Sequence, residues 1–250
     1  MKNVHEKWNG RMKKEKEKET RVSKFLNETY IIETVYNNKT PKFAVLNGNG
    51  IEIKGGIKPT TNPDLWLLPY KDPFGNLEKN IVILPTDVQS YISTENLLQD
   101  IKSFISSFAY LPEFWLNIST YYALMSWIYD CFGAVPYIDF LGDKDSGKTR
   151  IGDVIANCCY NSIVITGAST VAPMFRLIDR YPGTMFIDEA DYKNSELDTE
   201  IAKILNVGYR NGGAVLRAEK YDGSYEPRAF VVYGPKIITH RRPFGDDATY

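Results

Sequence analysis

Apolar positions change their spacing several times along the chain, and each change predicts a different kind of structure. Residues 1–24 are almost wholly polar, and Lys13 to Glu19 (KKEKEKE) alternates charge at a spacing that allows i,i+4 pairs on a solvated helix. This stretch is expected to be a charged lead-in helix or tail. From 25 to 88 the pattern is β-like. Thr29 to Tyr36 is rich in branched and aromatic residues, and Lys42 to Leu46 and Ile51 to Lys54 flank the turn signal Asn47-Gly48-Asn49-Gly50. Leu65 to Leu68 and Ile81 to Leu84 add two short apolar runs, so a small β-rich domain is expected here.

Helical periodicity starts near Ser93 and defines a helical segment over 89–132. Ser93 or Thr94 can cap a helix whose residues Leu97, Leu98, Ile101, Phe104, Ile105 and Phe108 share one face. Pro112 opens a second helix, apolar around most of its circumference, reaching about Cys131. Both are expected to pack rather than react. From 133 to 250 strand-like runs (Tyr137 to Leu141, Ile163 to Thr166, Thr184 to Ile187, Lys236 to Thr239) alternate with helical ones (Lys148 to Asn157, Val171 to Tyr181, Leu197 to Gly208). Such alternation predicts a parallel sheet with helices on its faces.

Charge and composition narrow the chemistry. Thirty basic residues face 31 acidic ones, a net charge of -1, so the chain is no polycation, although a local basic surface remains open. Three cysteines and two histidines without a CxxC pair argue against a disulfide framework or a zinc site, and fit a reducing, cytoplasmic setting. The most apolar stretch, Leu111 to Val135, carries Glu113, Asn117, Ser119, Thr120 and Asp130, which predicts a buried helix rather than a membrane span.

Gly142-Asp143-Lys144-Asp145-Ser146-Gly147-Lys148-Thr149, followed by Arg150, matches GxxxxGK[ST] without mismatch. An apolar strand enters it, and Ile151, Val154, Ile155 and Cys158 leave it at helical spacing. The glycines let backbone N–H groups turn inward, and the new helix adds its positive end, so the loop is suited to phosphate. Lys148 adds a mobile charge, and Thr149 can ligate magnesium. Asp143 and Asp145 are unusual beside a triphosphate, and Lys144 can offset them.

Thr184 to Asp191 (TMFIDEAD) is an apolar strand ending in acids. Asp188 is expected to hold Mg2+, and Glu189 to polarise an attacking water. Neighbours on a strand point oppositely, so the strand must end or bend if both are to serve one site. Asp191 is a weaker candidate.

Between these motifs and the chain's last strand lies a hairpin signal. Gly212-Gly213 precedes Ala214 to Ala218, Asp222-Gly223 marks a turn, and Arg228 to Tyr233 follows. Arg210, Arg217, Lys220 and Arg228, interleaved with Tyr209, Tyr221 and Tyr225, suit single-stranded nucleic acid, with Arg217 and Lys220 the named contacts. A solvated hairpin or subunit contact explains them equally. Thr239 or His240, at the last strand's end, can act as a polar sensor of the terminal phosphate. Arg241 or Arg242 is either an arginine finger or a surface cation.

Together GDKDSGKT, MFIDEAD and KIITHR resemble the additional-strand class of P-loop ATPases, which includes AAA+ and superfamily 3 helicases. From about Trp115 onward the chain looks more narrowly like helicase-related ATPases of plasmids, phages and other mobile elements. The resemblance implies a P-loop NTPase fold, α/β, with a parallel sheet flanked by helices. It implies ATP and Mg2+ as ligands, Lys148 with Thr149 and Asp188 with Glu189 as site residues, and a homo-oligomeric ring, such as a hexamer, acting on single-stranded DNA. The family continues into a further strand and arginine, so the core over 133–250 is expected to be truncated at its C-terminus. The function so implied is ATP hydrolysis coupled to movement on DNA, by a replicative helicase or translocase of a mobile element. The alternatives are an ATP-dependent switch or loader without processive movement, and a nucleotide-binding fragment with little activity alone.

Overall fold

The computed structural model describes residues 18–27, 29–48, 50–60, 62, 64–167, 169–189 and 196–241. In chain order the strands of the first part are β1 (Lys18–Val22), β2 (Lys24–Leu26), β3 (Ile31–Asn37), β4 (Thr40–Asn47), β5 (Gly50–Lys54), β6 (Leu65–Pro69) and β7 (Val82–Ile83). Helices α1 (Thr94–Phe108) and α2 (Glu113–Ser126) follow, then a 3₁₀ turn at Tyr129–Cys131. The rest is β8 (Tyr137–Leu141), α3 (Lys148–Cys158), β9 (Ser162–Ile165), α4 (Val171–Arg180), β10 (Met185–Ile187), α5 (Glu196–Gly208), β11 (Ala214–Tyr221), β12 (Ser224–Val231) and β13 (Lys236–His240).

Strands β2 to β5 form an antiparallel meander in sequence order, and β1 pairs in parallel with β6. The β3–β4 turn uses Asn38 and Lys39, both at positive φ (49° and 58°), as a two-residue hairpin turn requires. Ile32, Phe43, Val45, Ile57 and Leu67 bury a small core beneath this sheet. The charged lead-in expected over 1–24 is corrected where it can be seen: Lys18 onward is strand, and residues 1–17 lie outside the described residues.

The remaining chain builds a five-stranded sheet in the order β7-β9-β10-β13-β8. Strands β9, β10, β13 and β8 run parallel, while β7 meets β9 antiparallel. Ile105, Ala123, Ile155, Phe186 and Ile237 fill the core on one face. Ile165, Phe175, Ile187, Leu205, Phe230 and Ile238 belong to the core on the other.

This corrects the expected fold class. The chain has mixed α/β content distributed over sheets of two, five, two and four strands, several of them antiparallel. Five α-helices are described, and among the described residues there is no large parallel sheet flanked by helices of the kind typical of a P-loop NTPase fold. Alternating periodicity reports local strands and helices, but it does not say how many strands will pair or in which direction. Parallel pairing stops at four strands because Val82–Ile83, from the β-rich region, takes the edge against β9. The hairpin residues Phe230 and Val232 also close part of one core.

Boundaries moved less. Ser93 caps α1 by accepting from the Asn96 N–H at 3.2 Å. The second helix ends at Ser126, short of the expected Cys131, and the 3₁₀ turn takes over. Among the described residues no helix is long and apolar enough to cross a membrane.

Candidate active site

Strands β8, β10 and β13 are adjacent or next-adjacent and parallel, so their C-terminal ends come to one edge of the sheet. Residues about 40 and 90 positions after the glycine loop thereby meet it. The loop leaves β8 at Gly142, whose N–H donates to the His240 carbonyl at 3.2 Å, and so is tied to the end of β13. Gly147 starts α3 at φ 87°, a left-handed conformation that glycine adopts without strain, and it offers no side chain to cap the helix. The first-turn amides of α3 thus have no side-chain cap.

A cavity of about 650 Å³ opens over this edge. Lys144, Asp145, Ser146, Gly147, Lys148, Thr149 and Arg150 line it from the loop side, and Asp188, Glu189, Thr239, His240 and Arg241 from the strand ends. Gly142 and Asp143 form the root of the loop rather than the cavity wall. Lys148 bends back on its own loop: its Nζ donates to the Asp143 carbonyl at 2.5 Å and to Ser146 Oγ at 3.1 Å. Arg150 turns aside, donating through Nε to the Phe108 carbonyl at 3.2 Å.

Asp188 Oδ1 accepts from two hydroxyls, Thr149 Oγ1 at 2.8 Å and Thr239 Oγ1 at 2.5 Å. Helix α3 and strands β10 and β13 therefore meet at one carboxylate oxygen. The strand ends here. The Asp188 N–H still pairs with the Ile165 carbonyl at 2.8 Å, but Glu189 is at φ 56° and turns the chain out of the ladder. The Glu189 N–H donates to Thr239 Oγ1 at 3.2 Å, and its carboxylate accepts from Arg241 Nη2 at 2.8 Å. Gly152 lets α3 approach this closely. A Cβ there would stand 2.5 Å from the Phe186 ring and 3.1 Å from Thr239 Cγ2.

Of the two sensor candidates, Thr239 is the one bonded to Asp188. His240 is buried, and its Nε2 lies 2.6 Å from Asp139 Oδ1, joining β13 to β8 beneath the loop. Asp139 escaped the sequence reading, although a lone acid inside Tyr137-Ile138-Asp139-Phe140-Leu141 was a signal for it. Asp153, one turn into α3, also lines the cavity and was missed. Asp191 and Arg242 lie outside the described residues.

Magnesium takes near-octahedral oxygen coordination, usually one or two protein oxygens plus phosphates and water. The Thr149 hydroxyl and the Asp188 carboxylate, already in contact, fit that demand. Among the described residues no cluster of three or more His, Cys, Asp or Glu offers a richer metal site. Two cysteines sit at the far end of α3, away from the cavity. Burial pushes Cys158 up to about 11 and Cys159 up to about 12, so both stay protonated near neutrality.

The hairpin is less open than its composition promised. Arg217 points inward, 2.5 Å from Glu200 and stacked 4.4 Å over the Phe175 ring. Arg228 pairs with Asp179 and lies 4.7 Å over the Phe230 ring. Strand alternation thus places Arg217, expected as a nucleic-acid contact, on the packed face beside Glu200 and Phe175. Lys220, Tyr221 and Tyr225 are exposed at the tip. At the hairpin root Lys236 is buried, and its Nζ donates to the carbonyls of Gly208 (3.1 Å), Val232 (2.9 Å) and Gly234 (2.9 Å). Burial pulls its ammonium down to about 7, even though three acceptors match three ammonium protons.

The chain matches no protein-family model and no curated protein. A functional reading therefore rests on these side chains alone.

Proposed function

We propose that the chain binds ATP with Mg2+ over the Gly142–Thr149 loop and hydrolyses its terminal phosphoanhydride bond. The observation that carries this is the convergence on Asp188: the hydroxyls of Thr149 and Thr239 both reach its Oδ1, with Glu189 turned toward the same cavity. Loop amides and the start of α3 would hold phosphate oxygens. Lys148, now spending its protons on the Asp143 carbonyl and Ser146, would exchange them for the β- and γ-phosphates. Thr149 and Asp188 would hold the magnesium, which neutralises charge on the β- and γ-oxygens when bound.

Glu189 would accept a proton from the attacking water as its oxygen bonds to the γ-phosphorus. The bond from that phosphorus to the β–γ bridging oxygen breaks, giving ADP and phosphate. Arg241, paired with Glu189, must yield for this, and its guanidinium would then turn to the terminal phosphate. Thr239, bonded to both Asp188 and the Glu189 amide, would register whether that phosphate is present.

Coupling to single-stranded DNA is the finer part of the proposal, with Lys220, Tyr221 and Tyr225 at the hairpin tip as contacts. An ATP-dependent switch is the second reading. It is favoured by the pairing of Arg217 with Glu200 and of the exposed Arg228 with Asp179, which leaves fewer cations for a moving strand.

Calorimetric titration with Mg·ATP tests the first claim. Saturable binding is expected for the wild type and should weaken on the order of 100-fold in Lys148→Ala. Equal binding by both proteins refutes the site. Stimulation of phosphate release by single-stranded DNA, lost in Lys220→Ala with Tyr225→Ala, favours the motor, and indifference to DNA favours the switch.

A further inference from the structure

Helix α2 wears its polarity inside out. Ser119, Thr120 and Ser126 are buried, and their side is the one that packs. Thr120 Oγ1 donates to the Leu116 carbonyl at 2.8 Å and Ser126 Oγ to the Ala123 carbonyl at 2.6 Å, so these hydroxyls are satisfied within their own helix. The outward stripe is apolar instead: Phe114 is 65% exposed, Ile118 40% and Tyr121 60%, at i, i+4 and i+7. Trp115 (53%) stands against Phe114, ring centroids 5.1 Å apart, and Tyr110 (89%) precedes the helix. Its apolar circumference predicts burial, yet one side of it is open.

Aromatic side chains present roughly 150–250 Å² each, so at these exposures the five residues leave on the order of 600 Å² of largely apolar surface uncovered. That is at the upper end of the roughly 300–600 Å² of the largest patch on a typical monomer. It approaches the roughly 800 Å² that each partner contributes to a stable protein interface.

The charge pattern selects the partner. Glu113 is the only charged residue of α2, and the helix carries no Lys or Arg. A helix lying on a lipid surface uses basic residues on its polar side, and a nucleic-acid surface needs cations for phosphates. Neither is present. A face almost without charge has nothing to repel its own duplicate, and an isologous contact requires only that a patch complement itself. We propose that α2 is the interface of a two-fold dimer of this chain, with the two copies of α2 packed face to face through Phe114, Ile118 and Tyr121. This surface is separate from the 650 Å³ cavity and does not depend on what that cavity binds.

Sedimentation equilibrium of the chain over a wide concentration range is the test. The wild type should move from 28.5 kDa toward twice that mass as concentration rises. Phe114→Glu with Tyr121→Glu should weaken the dimer about thirty-fold or more, because each copy would bury two unpaired carboxylates against the other. Leu216→Glu, on the exposed face of the hairpin, should leave the dimer intact. Thermal melts identify a variant that fails to fold, and in that case the milder Phe114→Ser, also read by sedimentation, replaces it and should weaken the dimer in the same direction. A wild type that stays at 28.5 kDa at every concentration overturns the proposal. So does an oligomer that survives a folded α2 variant, or sedimentation of the wild type with lipid vesicles that the variant abolishes.

Discussion

Two stretches of this chain look alike in sequence and behave oppositely in the fold. The glycine loop carries Lys144, Lys148 and Arg150, and the hairpin carries Arg210, Arg217, Lys220 and Arg228. In the loop, Lys148 is held by the Asp143 carbonyl and Ser146, and it faces a cavity with carboxylates across it. In the hairpin, Arg217 and Arg228 are committed to Glu200, Asp179 and the rings beneath them. A cation is available for a ligand when its element ends at an open edge. It is structural when strand alternation turns it onto a packed face. Local charge density does not distinguish the two cases.

Substitutions can sharpen that contrast, beginning with the largest expected effect. Lys148→Ala should weaken Mg·ATP binding on the order of 100-fold without lowering the melting temperature, as titration and melts would show. A lower melting temperature would make Lys148 structural and break the comparison. Gly152→Ala should act through packing. Its Cβ would meet the Phe186 ring at 2.5 Å, costing about 1–3 kcal/mol in denaturant unfolding and separating Thr149 from Asp188.

Arg217→Ala should cost about 1–2 kcal/mol of stability, since it strips Glu200 of a partner and uncovers Phe175. Burial pushes Glu200 up, but hydrogen bonds from Lys203 and Arg217 outweigh it and hold the carboxyl below its ordinary value. The stability gained from this pair is therefore present above the unfolded-state value near 4.5 and is lost as pH falls through the lower folded value. In Arg217→Ala that acid-side loss should shrink.

Lys236 predicts a slope of the other origin. Its folded value is about 7 against an unfolded 10.5, so between those two the unfolded chain binds more protons and stability rises with pH. Unfolding titrations of Lys236→Met should show that rise removed relative to the wild type. The smallest effect belongs to Lys220→Ala, exposed at the hairpin tip, which should change stability by less than about 0.5 kcal/mol.

Much of the candidate site was legible because each half is a short motif at a strand end. Gly142 to Thr149 matches a glycine-loop pattern after a strand, and Asp188-Glu189 follows an apolar run. What periodicity could not supply was pairing. It did not show that β13 would lie between β8 and β10, bringing Thr239 rather than His240 to Asp188. Nor did it show that Arg241 would close on Glu189 of its own chain. The fold was read less well, because Val82 and Ile83 give no hint in sequence that they leave the β-rich region to edge another sheet. Helix α2 misled for a related reason. A helix apolar on most sides reads as buried, and only its neighbours decide which side the small hydroxyl residues take.

The central claim is that Glu189 activates water against a triphosphate seated over Lys148 and Thr149. Single-turnover release of phosphate from Mg·ATP, compared between the wild type and Glu189→Gln, tests it most directly. Glu189→Gln should bind Mg·ATP as tightly as the wild type yet release phosphate at least about 100-fold more slowly. Release at the wild-type rate from a variant that binds normally would contradict it.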